Sequence, residues 1–215
     1  MTDFADLIAG YRRFHDHDYV DHHTRWTELA HGQHPRVMVI ACADSRTDPA
    51  TVFDASPGEI FVVRNIANLV PPYEIGGGRH GVSAAIEFAV SQLEVAEIVV
   101  MGHGSCGGVS ASLSHAFVDK APGDGAFIAN WVDMLDEARD RIIAEHGHGD
   151  EATRALELET VRVSLANIHT FPFVAEREAA GKLKLRGAYF AIHDGVLWVM
   201  GDDGEFAPVI GGSAP

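Results

Sequence analysis

The chain is short of cysteine, of positive charge and of long apolar runs. Only Cys42 and Cys106 occur among 215 residues, too few for a disulfide-built scaffold, and a reducing compartment disfavours a single bridge. Metal ligation, nucleophilic chemistry or inert burial remain for the two thiols. Lys and Arg number 16 against 31 Asp and Glu, a formal net charge of −15. With no basic stripe, neither nucleic acid nor an anionic membrane is an expected partner. No apolar run approaches the roughly 18 residues of a membrane span. The opening segment, Met1 to Ala30, carries Asp3, Asp6, Arg12, Arg13, Asp16 and Asp18, unlike a secretory or transit signal, so a cytoplasmic location is expected. Internal repeats, low-complexity tracts and long linkers are also lacking.

What is present reads as a packed globular chain, 47% apolar and 22% charged. Phe4, Leu7, Ile8 and Tyr11 fall at helical spacing, and Trp26 with Leu29 predicts a second short helix before Gly32. Residues 1–34 are thus expected to form an N-terminal helical arm, appended to one α/β domain over residues 35–215. Such an arm is expected to favour a homo-oligomer. Six of 13 histidines, His15, His17, His22, His23, His31 and His34, fall in this arm and are read as a solvated polar surface.

From Arg36 the pattern changes. Val37 to Ala41, Ile60 to Val63 and Ile98 to Met101 are short apolar runs, as expected of buried parallel strands. Val82 to Leu93 has helical periodicity between the second and third, giving a β-α-β order. Ile128 to Ile142 and Leu158 to Ile168 predict two more helices, and Leu185 to Ile192 pairs with Val196 to Met200 across an Asp-Gly turn. The expected fold is α/β: a mixed, mainly parallel central sheet flanked by helices, with the N-terminal helical arm and a C-terminal antiparallel strand.

Cys42-Ala43-Asp44-Ser45-Arg46 begins where the first strand stops, and His103-Gly104-Ser105-Cys106 where the third stops. In open α/β sheets the carboxyl ends of strands face one crevice, so the two motifs can meet. Two thiolates and an imidazole suit zinc, with a carboxylate or water left for a fourth tetrahedral position. If Asp44 filled that position the site would be closed. Arg46, two residues on, can take both carboxylate oxygens in a forked pair, hold Asp44 off the metal and leave room for a water whose acidity the ion raises.

Gly102-His103-Gly104-Ser105-Cys106-Gly107 also satisfies a dinucleotide-binding pattern, with Asp119 or Asp124 as a ribose partner. That alternative lacks the further βαβ units and leaves Cys42-x-Asp-x-Arg unexplained. Gly76-Gly77-Gly78 lacks the Gly-Lys-Ser/Thr ending of a phosphate loop and is read as a turn.

The C-x-D-x-R and H-x-x-C motifs, with Pro57 to Asn68, Ser83 to Ala89 and Thr170 to Val174, make the chain resemble a β-class carbonic anhydrase from about Gln33 to Met200. The resemblance implies one Zn2+ per chain on Cys42, His103 and Cys106, with Asp44 a ligand only in a closed form. It implies Asp44 and Arg46 as the gating and orienting pair, and reversible hydration of CO2 to bicarbonate and a proton by zinc-bound hydroxide. Gln33, Phe61, Phe88 and Gly107 fall at positions implied to contact substrate, Phe88 standing where many relatives have tyrosine. A dimer or dimer of dimers is implied. Val39, where one subgroup has tryptophan, implies the open form. Hydrolysis of carbonyl sulfide or carbon disulfide, and a non-catalytic zinc scaffold, are the competing expectations.

Overall fold

A computed structural model describes residues 2–76 and 78–210. Contacts divide the chain into a unit up to His34 and a second from Pro35. In the first, α1 spans Phe4–Phe14, runs into a π turn at His15–Tyr19, and is followed by α2, His23–Leu29. Asp3 starts α1 by accepting the Asp6 N–H while the Asp6 side chain accepts the Asp3 N–H, a reciprocal cap that satisfies two otherwise unpaired donors.

The second unit is built on one sheet of six strands: β1 Val37–Cys42, β2 Ile60–Asn65, β3 Glu97–His103, β4 Lys184–Ala191, β5 Val196–Met200 and β6 Phe206–Pro208. Their order is β2-β1-β3-β4-β5-β6, the first four parallel and the last two antiparallel. Side chains alternate across the sheet. Met38, Ile40, Ile98 and Val100 join one cluster with Ile86, Val90, Val161 and Leu165, while Val39, Ala41, Met101 and Ala188 gather in another. β1 is buried after its first residue, as a central strand between parallel neighbours should be. β2, at the edge, is only half-buried along its length.

The helices of this unit are α3 Pro49–Val52, α4 Gly81–Glu87, α5 Gly107–Leu113, α6 Ala126–Val132, α7 Asp136–His146, α8 Asp150–His169 and α9 Pro172–Ala179. α8 turns Leu156, Glu157, Thr160, Val161, Ser164, Leu165 and Ile168 inward, a three-four stripe. The predicted helix over Val82 to Leu93 is an α-helix only to Glu87 and continues as a π turn through Gln92. The stretch Ile128 to Ile142 is likewise broken by a 3-10 turn at Asp133–Leu135. Apolar spacing alone cannot separate these states, because the inward side chains fall in similar places. The β4–β5 link turns through Gly195 at φ +67°, with the Gly195 N–H on the Ala191 carbonyl at 2.9 Å. Gly76 lies at φ +106° in the predicted turn, and Gly77 is outside the described residues. Among the described residues no helix is long and apolar enough to cross a membrane.

β1 sends the chain to β2 on one side and stands beside β3 on the other. Connections therefore diverge at the carboxyl ends of β1 and β3, the place where such sheets leave a crevice. Cys42 is the last residue of β1 and His103 the last of β3.

Candidate metal centre

At that crevice the ligand atoms of Cys42, His103 and Cys106 all lie within 4.8 Å of one another, the two sulfurs 3.9 Å apart. All three residues are buried. His103 Nδ1 stands 2.9 Å from the Gly104 carbonyl. A carbonyl can only accept, so Nδ1 carries the proton and Nε2 offers its lone pair. Nε2 is buried with no hydrogen-bond partner, an arrangement that costs free energy unless something fills the position. Burial depresses the imidazole, but contact with Cys42 and the Gly104 carbonyl outweighs it and raises its pKa.

The thiols act as a pair. The Cys106 thiol donating to Cys42 pulls the Cys42 pKa down, and the same contact, with burial, pushes Cys106 up. One proton shared by two sulfurs is the chemistry of a dithiol awaiting a cation, and a soft N/S donor set of three fits zinc with a fourth position to spare.

Asp44 does not join the ligand group. Its Oδ1 accepts the Arg46 backbone N–H at 3.0 Å and Arg46 Nε at 2.9 Å, and its Oδ2 accepts Arg46 Nη2 at 2.7 Å. This fork holds the carboxyl well below the usual carboxylate range. Arg46 Nη2 also reaches the Ser105 carbonyl at 3.0 Å, tying the first motif to the second.

Two further residues order the loops. Arg64, paired in register with Ala41 of β1, donates to the Cys42 carbonyl at 2.9 Å and the Asp44 carbonyl at 2.7 Å, and meets Asp48 at 2.8 Å. Asp48 in turn caps α3, accepting the Ala50 N–H at 3.0 Å. Glu157, 3% exposed, accepts the Cys106 N–H at 3.1 Å and the Tyr189 hydroxyl at 2.8 Å. Sequence reasoning missed both. An arginine inside the apolar run Ile60 to Asn65 was an available signal for the first; Glu157 had none of its own, since its place on the inward stripe of α8 follows from the fold.

Of the four substrate positions, Phe61, Phe88 and Gly107 belong to the second unit. Gln33 belongs to the first unit. Gly107 opens α5, and a methyl group there would meet nothing within 4 Å. Phe61 and Phe88 stack obliquely with ring centres 5.9 Å apart, Phe88 being 45% exposed. Phe61 pairs with Met38 whereas Cys42 pairs with Asn65. It sits four residues back along the strand, roughly 13 Å from the level of the ligands. An apolar pocket of about 380 Å³ is lined by Ala43, which follows Cys42, by Asn65, the partner of Cys42 in register, and by Ile66, Phe127, Ile128 and Trp131.

A sequence profile of the family described as "Carbonic anhydrase" matches residues 37–197. β carbonic anhydrase 3 of Arabidopsis thaliana is 39% identical over 199 residues, covering 89% of this chain and 75% of that protein. The solved β-carbonic anhydrase CcaA superposes with a TM-score of 0.88 at 29% identity, covering 96% of this chain and 100% of the other. One of the tetrameric β-carbonic anhydrases of Sordaria macrospora gives 0.77 at 27% identity, covering 92% and 96%.

Proposed function

This chain belongs to the carbonic anhydrases, in their β class, and from that membership we propose that Cys42, His103 and Cys106 hold one zinc ion per chain at the seat of CO2 hydration. The enzyme is a lyase that interconverts CO2 with bicarbonate and a proton. The observation that carries the zinc assignment is His103 Nε2, buried without a partner and facing two thiols. When bound, zinc supplies the Lewis acidity that brings the ionisation of a coordinated water toward neutral pH.

The chain's own groups do the rest. Arg46 holds Asp44 as an anion and keeps it from capping the metal. A carboxylate offers about four lone-pair sites. Arg46 occupies two on Oδ1 and one on Oδ2, so the remaining site on Oδ2 accepts the hydrogen of the reacting water and orients it. Because Arg46 stabilises the charge, Asp44 orients that proton without taking it. The pocket lined by Ile66, Phe127, Ile128 and Trp131 suits an apolar gas. Gln33 and Gly107 serve as polar contacts for the substrate.

Phe61 lies too far down β2 to reach the centre of its own chain, and Phe88, in the π turn after α4, packs against it, so the two are assigned to the site of a second copy. The half-buried edge strand β2 and the exposed Ile66 and Phe88 support a dimer, and the tetrameric relatives support a dimer of dimers. Residues 1–34 serve as an arm to the catalytic domain formed by residues 35–215. Two free thiols favour a reducing, cytoplasmic setting.

Stopped-flow CO2 hydration by the purified chain tests the assignment. The rate is expected to rise from about pH 6.5 to about pH 9, since thiolate ligands make the metal's water less acidic than an all-histidine site would. Hydration no faster than buffer alone would overturn it.

A further inference from the structure

We propose that Glu157 is a positioning residue of the metal centre, clamping the Ser105–Cys106 peptide so that it presents Cys106 to the metal and a carbonyl to Arg46. The proposal rests on the zinc assignment above and adds a residue that the two motifs do not contain.

The peptide between Ser105 and Cys106 is gripped from both ends. Its carbonyl accepts Arg46 Nη2 at 3.0 Å, and its N–H donates to Glu157 Oε1 at 3.1 Å. A peptide's carbonyl and N–H point in opposite directions, so it lies between a guanidinium and a carboxylate with its dipole matched to both. Turned over, it would face oxygen to the carboxylate and hydrogen to the guanidinium, unfavourable at each end. Ser105 is held at φ +56°, a left-handed conformation that a residue with a Cβ adopts only under constraint. The two ionic grips supply that constraint.

Glu157 is itself fixed. Its Oε2 accepts the Tyr189 hydroxyl at 2.8 Å, Arg154 Nε stands 4.0 Å away, and Arg154 also donates to that hydroxyl. A Cβ at Gly104 would come within 2.9 Å of the Tyr189 hydroxyl, and one at Gly102 within 3.3 Å of the Glu157 carbonyl. The bare backbone there lets the loop settle onto α8. An apolar side chain would satisfy the inward stripe of α8 equally well, so helix packing does not call for an acid at this position. A buried carboxylate is costly unless its oxygens are paired, and here one of them is spent on the amide of a ligand residue. Because Arg46 Nη2 is shared between Ser105 and Asp44, loss of Glu157 reaches the gate through one peptide.

With only two cysteines, protein labelled with 15N-cysteine gives two amide signals, Cys42 and Cys106. The test compares their hydrogen exchange in the purified wild type and in Glu157→Leu, with zinc content measured. The Cys106 amide should exchange at least about tenfold faster in the variant while Cys42 changes by less than about twofold. The kcat/KM for hydration should fall about tenfold, and by clearly less in an Arg46→Ala background, where the part of the loss that runs through the gate is already gone. Should Glu157→Leu fail to fold, Tyr189→Phe, which removes a donor to the carboxylate, should show the same selectivity at about threefold. Both amides accelerating together, or losses that multiply in the double variant, would overturn the clamp. The exchange arm needs no metal. A wild type without zinc or activity would therefore defeat the zinc assignment while exchange still decided the role of Glu157.

Discussion

The sulfur atoms of Cys42 and Cys106 stand 3.9 Å apart although 64 positions separate them in the chain. Two buried thiols at that distance cannot both ionise unaided. The first proton leaves readily because the neighbouring thiol donates to the thiolate, and the second is held by that thiolate and by burial. A cation between them reverses the second effect, so metal uptake must release protons. Zinc affinity, measured by competition with a chromophoric chelator, should fall as pH is lowered through the neutral range. An affinity independent of pH would mean that the thiols are not the ligands.

Arg46 meets Asp44 as a fork, and a lysine cannot copy that geometry. Arg46→Ala should lower kcat/KM for hydration by roughly ten- to a hundredfold, and Arg46→Lys should restore little of it. Stopped-flow assays at matched zinc content decide the point. Most of the turnover surviving in Arg46→Ala would remove the gating role of the pair.

The same fork makes a statement about stability. The Asp44 pKa in the folded chain is depressed by Arg46 below its unfolded value, which is about 3.9. The resulting stabilisation is complete above the unfolded value and is lost as pH falls through the folded one. Asp44→Asn should therefore be less stable than the parent at neutral pH, with the gap closing below about pH 4. Urea unfolding of both proteins across that range checks it, and a gap that persists into acid would trace the loss to something other than the ion pair.

The glycines of the second motif carry a steric prediction. A methyl on Gly104 would come within 2.9 Å of the Tyr189 hydroxyl, and one on Gly102 within 2.9 Å of Val161 Cγ2. Each alanine variant should lose about 1–3 kcal/mol through overpacking, read from the urea midpoint at unchanged slope. In a Tyr189→Phe background the Gly104→Ala loss should shrink, because the crowding oxygen is gone.

Some of this organisation is legible in the chain and some is not, for reasons of locality. Val37 to Ala41 announces itself as a strand because both of its faces are buried and every residue is apolar. His103 and Cys106 stand out because their spacing and their place after an apolar run are both local. β6 does not, since Phe206–Pro208 is three residues long and takes its form from pairing with β5. α5 begins with two glycines, poor helix formers, and is marked by nothing before Cys106. Glu157 reads as one more solvated acid beside Glu151 and Glu159. Its burial is imposed by a loop arriving from β3, fifty-one positions away in sequence at Cys106. Phe61 was legible as an aromatic position but not as one remote from the ligands, because the register of β2 against β1 decides that distance.

The proposed chemistry requires Cys42, His103 and Cys106 to bind one metal ion. Zinc content and CO2 hydration should be measured together on the wild type and on Cys106→Ser. The expected result is close to one zinc per chain with rapid hydration in the wild type, and loss of both to below about a tenth in the variant. Wild-type protein that hydrates CO2 without stoichiometric zinc, or a Cys106→Ser variant that keeps full activity, would contradict it.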